Sequence, residues 1–299
     1  MANITLGIIG FGEVGGIFGR GLKDKNGVEA VHAWDLKFAS TENTTARDAA
    51  TSDGIAPADG MAGLCAKATL LISAVTASST LAVAEEAARH VRPGTVFLDL
   101  NSASPGTKQR AAAAIEVAGG HYVEAGVMTS VPPYGIRVPM LLGGAQASEL
   151  ARTLTGWNMD ARVVSEKLGV ASAIKMSRSI MIKGLEALVI EAYTNARAYG
   201  VEDHVLPTLQ ETFPQIDWSR QGAYFFSRVV QHGKRRAEEM RESANTVKEA
   251  GFDPIMASAI AGKQDWVAGL AREGVFEDLT GQSPWQDYAD RLLAQRKAP

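Results

Sequence analysis

The chain has 299 residues, a formal net charge of −3 and one cysteine. This charge provides no general attraction to nucleic acid or to an anionic membrane, so we expect neither as a partner and favour a small metabolite. A single cysteine excludes an intramolecular disulfide and a cysteine-rich metal site, and no apolar run reaches the roughly 18 residues of a membrane span. We therefore expect a soluble, cytoplasmic protein without a metal.

The first predicted element is a buried strand at Ile4–Ile9, and a cluster of glycines follows it directly. Gly10, Gly12 and Gly15 form the spacing Gly-x-Gly-x-x-Gly, which permits a tight turn, close approach of a pyrophosphate and close helix packing. A helix that opens near Glu13 would point its free N–H groups at the phosphates. This stretch predicts a dinucleotide site.

A second strand at Val28–Trp34 ends at Asp35, where a carboxylate can accept hydrogen bonds from both ribose hydroxyls. Because a 2′-phosphate would be repelled there, we expect NAD as cofactor and consider NADP less favourable. Lys37 would soften this repulsion. The cofactor-binding residues predicted in this region are Gly10, Phe11, Gly12, Glu13, Val14, Gly15, Asp35 and Lys37.

Strands and helices continue to alternate through the first half of the chain. Residues 40–53 predict a loop with a short helix, and the later elements are strands Thr69–Ala74, Val96–Leu100 and Tyr122–Val127 and helices Ser78–Val91 and Pro105–Val117, the second with Ser104 as N-cap. This alternation predicts an α/β fold with a Rossmann-type, doubly wound parallel sheet, whose ligands bind at the carboxyl ends of the strands. Val75, Thr76 and Asn101 follow such strands and complete the predicted cofactor site.

The second half of the chain is helical in pattern. Gly169–Tyr199 predicts one long, heavily buried helix with Ile174, Ile182 and Leu188 among its apolar positions. Helices are also predicted at Val205–Thr212, Arg220–Ala250, Pro254–Glu273 and Trp285–Lys297. We therefore expect a nucleotide-binding domain over residues 1–165 and an all-α domain for substrate binding and dimerisation over residues 166–299.

Lys175 is the candidate general acid/base. It lies early in an otherwise apolar helix, where loss of water and nearby positive charge would lower its pKa towards neutrality. The alternative is a lysine near a helix end whose ammonium reaches water. Lys183, two turns further along, competes with it on composition.

The order of four motifs resembles the β-hydroxyacid dehydrogenases, relatives of 6-phosphogluconate dehydrogenase and 3-hydroxyisobutyrate dehydrogenase. The motifs are Gly10 to Gly15, Asp99 to Pro105, Glu124 to Gly144, and Gly169 leading to Lys175. The resemblance implies that Lys175 is catalytic, that Asn101 and Ser102 match a Ser-Thr substrate pair, and that Met128, Thr129 and Ser130 belong to the substrate loop.

Two departures from this family bear on the substrate. Ser179 stands where the family usually carries asparagine, and the loop from Gly126 to Tyr134 is bulkier than the usual Ser-Gly-Gly cradle. The segment from Gly222 to Met240 resembles a subgroup of phosphogluconate-dehydrogenase-like oxidoreductases. The usual substrates of the family are therefore in question.

His232, Arg235 and Arg236 are spaced so that His232 shares a helix face with either arginine. Such a group would clamp a carboxylate or phosphate. The alternative is a solvated helix face with pairs between Lys234 and Glu238 and between Arg235 and Glu239.

Together these features predict an NAD-dependent dehydrogenase that acts on an anionic, 3-hydroxyacid-like substrate, with Lys175 as general acid/base and Ser102, the Thr129 backbone and Arg236 holding the anion. We expect a homodimer through the helical domain. Two alternatives stay open: an imine reductase of the same fold, which commonly lacks the lysine, and a non-catalytic NAD-bound scaffold.

Overall fold

The computed structural model describes residues 3–40 and 44–295. The chain divides into two compact units, unit 1 (Met1–Ser177) and unit 2 (Arg178–Pro299). Residues 41–43 of the predicted loop and residues 296–297 of the predicted last helix lie outside the described residues. None of the helices in the described ranges has both the length and the apolar character needed to cross a membrane.

Unit 1 contains an eight-stranded sheet with strand order β3-β2-β1-β4-β5-β6-β7-β8. The strands are β1 Ile4–Ile9, β2 Val28–Trp34, β3 Ala56–Pro57, β4 Leu70–Ser73, β5 Val96–Asp99, β6 His121–Val127, β7 Met140–Gly143 and β8 Ala161–Ser165. The order reverses between β1 and β4, which makes the carboxyl ends of these two strands the switch point where doubly wound sheets bind ligands.

Six α-helices connect the strands within the described residues of unit 1. They are α1 Glu13–Leu22, α2 Thr45–Ser52, α3 Met61–Cys65, α4 Thr80–Ala88, α5 Pro105–Val117 and α6 Ala147–Gly156. The predicted N-cap of α5 is confirmed, because Ser104 Oγ accepts the Thr107 N–H at 3.2 Å and Pro105 occupies the first turn. Cys65 is fully buried, and burial raises the pKa of its thiol to about 11, so it behaves as a small core residue.

The sheet differs from the prediction in its last strands. β7 pairs antiparallel to β6, so the sheet is mostly parallel rather than wholly parallel. β3, α3, β7, α6 and β8 were not predicted. β3 has only two residues, and β8 is largely exposed, so neither leaves a strong apolar pattern in the sequence.

The long helix α7 (Val170–Tyr199) spans the division between the units. The domain boundary near residue 165, where β8 ends, stays a prediction; the two compact units divide between Ser177 and Arg178. The first turns of α7 belong to unit 1 because backbone N–H groups at its start bind Glu124 of β6.

Unit 2 is all-helical over its described residues, as predicted. After α7 come α8 Glu202–Thr212, α9 Trp218–Glu249, α10 Ile255–Arg272 and α11 Trp285–Ala294. Its main core is aromatic, with Tyr193 and Trp285 at 4.8 Å between ring centroids and Phe226 stacked on Tyr288.

The predicted heavy burial of α7 is wrong for part of its length. Ile174, Ile182 and Leu188 are exposed within this chain, whereas Val189 and Ile190 are buried. Apolar residues occur on more sides of α7 than the rest of this chain covers. The number of apolar residues in the sequence does not show which of these sides is buried.

Candidate functional site

The glycine turn after β1 has the geometry that its spacing predicted. Gly10 has φ +86°, and a methyl group on Gly15 would lie 1.9 Å from the Gly10 carbonyl oxygen. Gly12, by contrast, is exposed, and a methyl group there would have no atom within 4 Å apart from its neighbours in the chain. Gly12 is also the N-cap of α1 and offers no side chain to its free N–H groups. The turn thus presents open space and free donors together.

Asp35 lies beside this turn, at the carboxyl end of β2. Its carboxylate accepts the Phe11 N–H at 2.7 Å and the Lys37 N–H at 2.9 Å. These bonds join the end of β2 to the residue between the first two glycines. The Lys37 side chain is exposed, as are Glu13 and Gly12, whereas Val14 is half-buried.

The loop after β4 is held by Asn101. The Asn101 amide oxygen accepts the Val75 N–H at 2.7 Å, and its amide nitrogen donates to Ser73 Oγ at 2.9 Å. Val75 in turn packs over Gly10, where a methyl group would approach the Val75 side chain to 2.8 Å. Thr76 is exposed. Asn101 therefore fixes the loop that closes over the glycine turn.

A buried network of charged and polar side chains holds the loop that carries Asn101 and Ser102. Asp99, at the end of β5, forms a 2.9 Å salt bridge with Lys108, accepts the Tyr122 hydroxyl and accepts the Asn101 N–H. Burial, followed by the neighbouring Asp99 charge, raises the pKa of Tyr122 well above its ordinary value. Tyr122 therefore stays a proton donor, and the loop that carries the half-buried Ser102 rests on a satisfied network.

Lys175 lies against the end of β6. A methyl group on Gly126 would lie 2.9 Å from the Ala171 carbonyl oxygen and 3.5 Å from Lys175 Cβ. The half-buried Lys175 thus packs against Gly126, the first residue of the predicted substrate loop. In that loop Met128 and Ser130 are half-buried and Thr129 is exposed, and the Met128 N–H donates to Pro139 O at 2.9 Å.

Unit 2 holds a second group of charged residues, here called the unit 2 ion cluster: Lys183, Glu186, Arg236 and Glu239. Arg236 is buried and donates Nε to Glu186 at 2.9 Å, with a second bond from its terminal nitrogen to the same carboxylate. Gln264 also donates to Glu186, at 3.2 Å. The guanidinium that we predicted to clamp a substrate is therefore paired within unit 2.

The other members of the cluster are also paired. Lys183 forms a 2.8 Å salt bridge with Glu239 and donates to Ser179 at 3.2 Å. Arg235 is exposed and lies 3.3 Å from Glu239, which is the pair that the alternative interpretation of this segment predicted. Ser179 is buried.

His232 is half-buried on the same helix. Burial, followed by the charges of Arg228, Arg235 and Arg236, lowers its pKa to about 4. The imidazole is neutral at physiological pH and contributes no positive charge to an anion clamp. Among the described residues no group of three or more His, Cys, Asp or Glu side chains could hold a metal ion.

Comparison with known proteins follows the division into units. Residues 5–148 match the NAD binding domain of 6-phosphogluconate dehydrogenase, and residues 196–267 match a domain of unknown function, DUF1932. A conserved hypothetical protein from Sinorhizobium meliloti is 38% identical with a TM-score of 0.76, and the match covers 98% of this chain and 96% of that one.

A second solved protein is 30% identical with a TM-score of 0.68, over 90% of this chain and 98% of that one, and is described as structurally similar to 3-hydroxyacid dehydrogenases. The chain belongs to the β-hydroxyacid dehydrogenase family. The resemblance noted from the sequence is therefore confirmed, as is the Rossmann-type fold with an NAD-binding domain.

More distant members of this fold differ in what they bind. The 3-hydroxyisobutyrate dehydrogenase of Mycobacterium tuberculosis, solved with L-serine, is 15% identical with a TM-score of 0.70, covering 98% of this chain and 99% of that one. A reductive aminase from Aspergillus terreus, solved with NADPH, is 17% identical with a TM-score of 0.57, covering 99% and 100%. These likenesses concern the fold alone.

In this family member, unit 1 brings together the glycine turn, Asp35, Val75, Asn101, Ser102 and the Lys175 seat at the carboxyl edge of one sheet. Sequence reasoning missed the roles of Glu124 and Glu186. A signal for Glu186 was present, because a carboxylate inside an otherwise apolar stretch of helix requires a partner.

Proposed function

We propose that the protein is an NAD-dependent dehydrogenase that oxidises the hydroxyl-bearing carbon of an anionic, 3-hydroxyacid-like substrate. The observation that carries this proposal is the seat of Lys175 against Gly126, at the same edge of the sheet as the glycine turn. This position supports a role for Lys175 beside the cofactor, because doubly wound sheets bind their ligands at this edge.

The residues of unit 1 suit a dinucleotide. Gly12 leaves room for a pyrophosphate, the N-terminus of α1 supplies uncapped N–H groups, and the Asp35 carboxylate lies beside Phe11 to accept ribose hydroxyls. When bound, NAD would accept the hydride from the substrate carbon. Val75, held by Asn101, would close one side of this site and limit the entry of water.

Lys175 would accept the hydroxyl proton as the carbon–hydrogen bond breaks, and would return that proton in the reverse reaction. Ser102 and the backbone at Thr129 would bind the substrate anion. The pairing of Arg236 with Glu186 supports a structural role for Arg236, so the anion contacts are proposed in unit 1.

The cofactor is proposed to be NAD rather than NADP. Both Asp35 oxygens already accept backbone N–H groups, so the carboxylate is held in place and would repel a 2′-phosphate. Because a structural neighbour was solved with NADPH, the preference needs direct measurement.

The experiment is a screen of NAD reduction against 3-hydroxy acids, sugar acids, hydroxy sulfonates and aromatic diols. We expect turnover with at least one anionic hydroxy compound. Reduction of cyclic imines with no oxidation of any alcohol would instead assign the protein to imine reduction. Tight NAD binding without turnover in either screen would indicate a non-catalytic scaffold and contradict the proposal.

We further propose that two copies associate through the helical unit. Exposed apolar side chains are concentrated on its helices, among them Met181, Leu188 and Tyr199 of α7 and Ile255 and Trp266 of α10. Light scattering coupled to gel filtration should give twice the chain mass, and Leu188→Glu should give the monomer. A monomeric wild type would contradict this. The cytoplasmic location expected from the single cysteine stays a prediction.

A further inference from the structure

The start of α7 lacks a capping side chain of its own. Gly169 precedes the first residue of the helix and has φ +100°, a conformation that side chains disfavour. A helix that begins at a glycine leaves its first N–H groups without the usual side-chain acceptor. Another part of the protein must supply that acceptor if the helix start is to be fixed.

Glu124 supplies it from β6. Its Oε1 accepts the N–H groups of Gly169 at 2.7 Å and Ala171 at 3.1 Å, while Oε2 accepts the N–H of Ser172 at 3.3 Å and its hydroxyl at 2.7 Å. The Glu124 side chain is completely buried. A carboxylate at a helix N-terminus is also favoured by the helix dipole.

A second contact from the same strand falls two residues later. Glu124 and Gly126 lie on one face of β6, because side chains alternate along a strand. Gly126 approaches Ala171 and Lys175 so closely that a methyl group would lie 2.9 Å from the Ala171 carbonyl oxygen. One contact holds the helix end and the other sets its distance from the strand, so together they leave the first turns of α7 little freedom.

We propose that Glu124 is a positioning residue: it fixes the first turn of α7 on β6 and thereby fixes where Lys175 points. This inference rests on the proposed function for its catalytic consequence. Lys175 follows Ala171 by one helical turn, so a tilt or fraying of the first turn moves the lysine directly.

Gly143 provides a way to disturb the carboxylate without removing its charge. A methyl group there would lie 2.5 Å from Glu124 Oε1 and 3.0 Å from its Cγ. Gly143→Ala should therefore displace the carboxylate, whereas Glu124→Gln removes its charge in place. Ser172→Ala removes only the hydroxyl donor. Ile115→Val is the matched control, since it loosens the buried core of unit 1 at α5 and Ile115 is not one of the proposed site residues.

The first measurement does not require enzymatic activity. Mass spectrometry follows the rate at which acetic anhydride acetylates the Lys175 amine, and amide hydrogen exchange is measured at Ala171 and Ser172. We expect Glu124→Gln and Gly143→Ala each to change the acetylation rate by about threefold or more and to speed exchange by about tenfold, as the first turn opens. Ile115→Val should change neither. Equal acetylation rates in wild type, Glu124→Gln and Gly143→Ala would overturn the proposal.

The second measurement uses the substrate found in the screen. Glu124→Gln should lower kcat by about 10- to 100-fold with KM for NAD within about threefold, and Ser172→Ala should lower kcat less. If Glu124→Gln lost no more kcat than an equally destabilised Ile115→Val, Glu124 would be structural only and the proposal would be wrong. If wild type oxidised no hydroxy compound, the proposed function would fail, while the acetylation rates would still decide the role of Glu124.

Discussion

The carboxyl edge of the unit 1 sheet and the unit 2 ion cluster use their polar groups in opposite ways. At the sheet edge Gly12 borders open space and the N-terminus of α1 is uncapped. In the cluster Arg236 is matched by Glu186 and Lys183 by Glu239. Polar groups that bind a ligand need free donors, whereas groups that hold helices together satisfy one another. The difference supports our proposal that the ligand binds at the edge of unit 1.

The largest expected effect comes from breaking the buried pair between Arg236 and Glu186 in the unit 2 ion cluster. Arg236→Ala leaves Glu186 buried without its cation, so the free energy of unfolding should fall by about 3–5 kcal/mol. Arg236→Met with Glu186→Met removes both charges and should recover much of that loss. Urea unfolding measures all three proteins. Unchanged stability with KM for an anionic substrate raised by about 10- to 100-fold would return Arg236 to the substrate site.

The glycine turn at the edge of the unit 1 sheet offers a matched pair of variants that tests cofactor binding there. Gly15→Ala places a methyl group 1.9 Å from the Gly10 carbonyl oxygen, so both stability and NAD binding should suffer. Gly12→Ala meets no protein atom within 4 Å apart from its neighbours in the chain, so the melting temperature should hold while NAD binding weakens by about tenfold or more. Calorimetric titration with NAD checks both variants. Unweakened binding in Gly12→Ala would show that the pyrophosphate lies elsewhere.

The effect of Asp35 on the preference for NAD over NADP should be somewhat smaller than the effects of the glycine variants. Asp35→Ser removes the charge that opposes a 2′-phosphate, and the ratio of kcat/KM for NADP to that for NAD should rise by about tenfold. Lys37→Ala, as the companion change, should move the ratio the other way because it removes a nearby cation. A wild type that already prefers NADP would refute the preference.

The smallest expected effect concerns His232. Its pKa is lowered to about 4 in the folded protein, so between that value and the ordinary pKa of about 6.5 the unfolded chain binds the extra proton. Folding stability should therefore fall as pH drops from about 6.5 to 4, by about 1 kcal/mol once solvent screening of this half-buried group is allowed for. His232→Gln should flatten this part of the stability profile relative to wild type. Identical pH profiles would mean that His232 titrates normally.

Local patterns predicted much of unit 1. The glycine spacing located the turn after β1, and Ser104 with Pro105 located the start of α5, because these features depend on adjacent residues. The sequence indicated that Glu186 needs a partner, but local patterns could not identify that partner as Arg236. The two residues lie fifty positions apart and pair only when α7 and α9 pack. The role of Glu124 was missed for a similar reason. Its carboxylate accepts backbone N–H groups between Gly169 and Ser172, and a backbone group carries no sequence signal.

The most direct test of the account compares two lysines on one helix. Lys175→Met and Lys183→Met are to be assayed for kcat with the best substrate from the screen, after each is shown to be folded. We expect Lys175→Met to lower kcat by roughly 10²- to 10⁴-fold. Lys183→Met removes the salt bridge to Glu239 and the hydrogen bond to Ser179, and should stay within about tenfold of wild type. A folded Lys175→Met protein with kcat within about tenfold of wild type would contradict the assignment of Lys175.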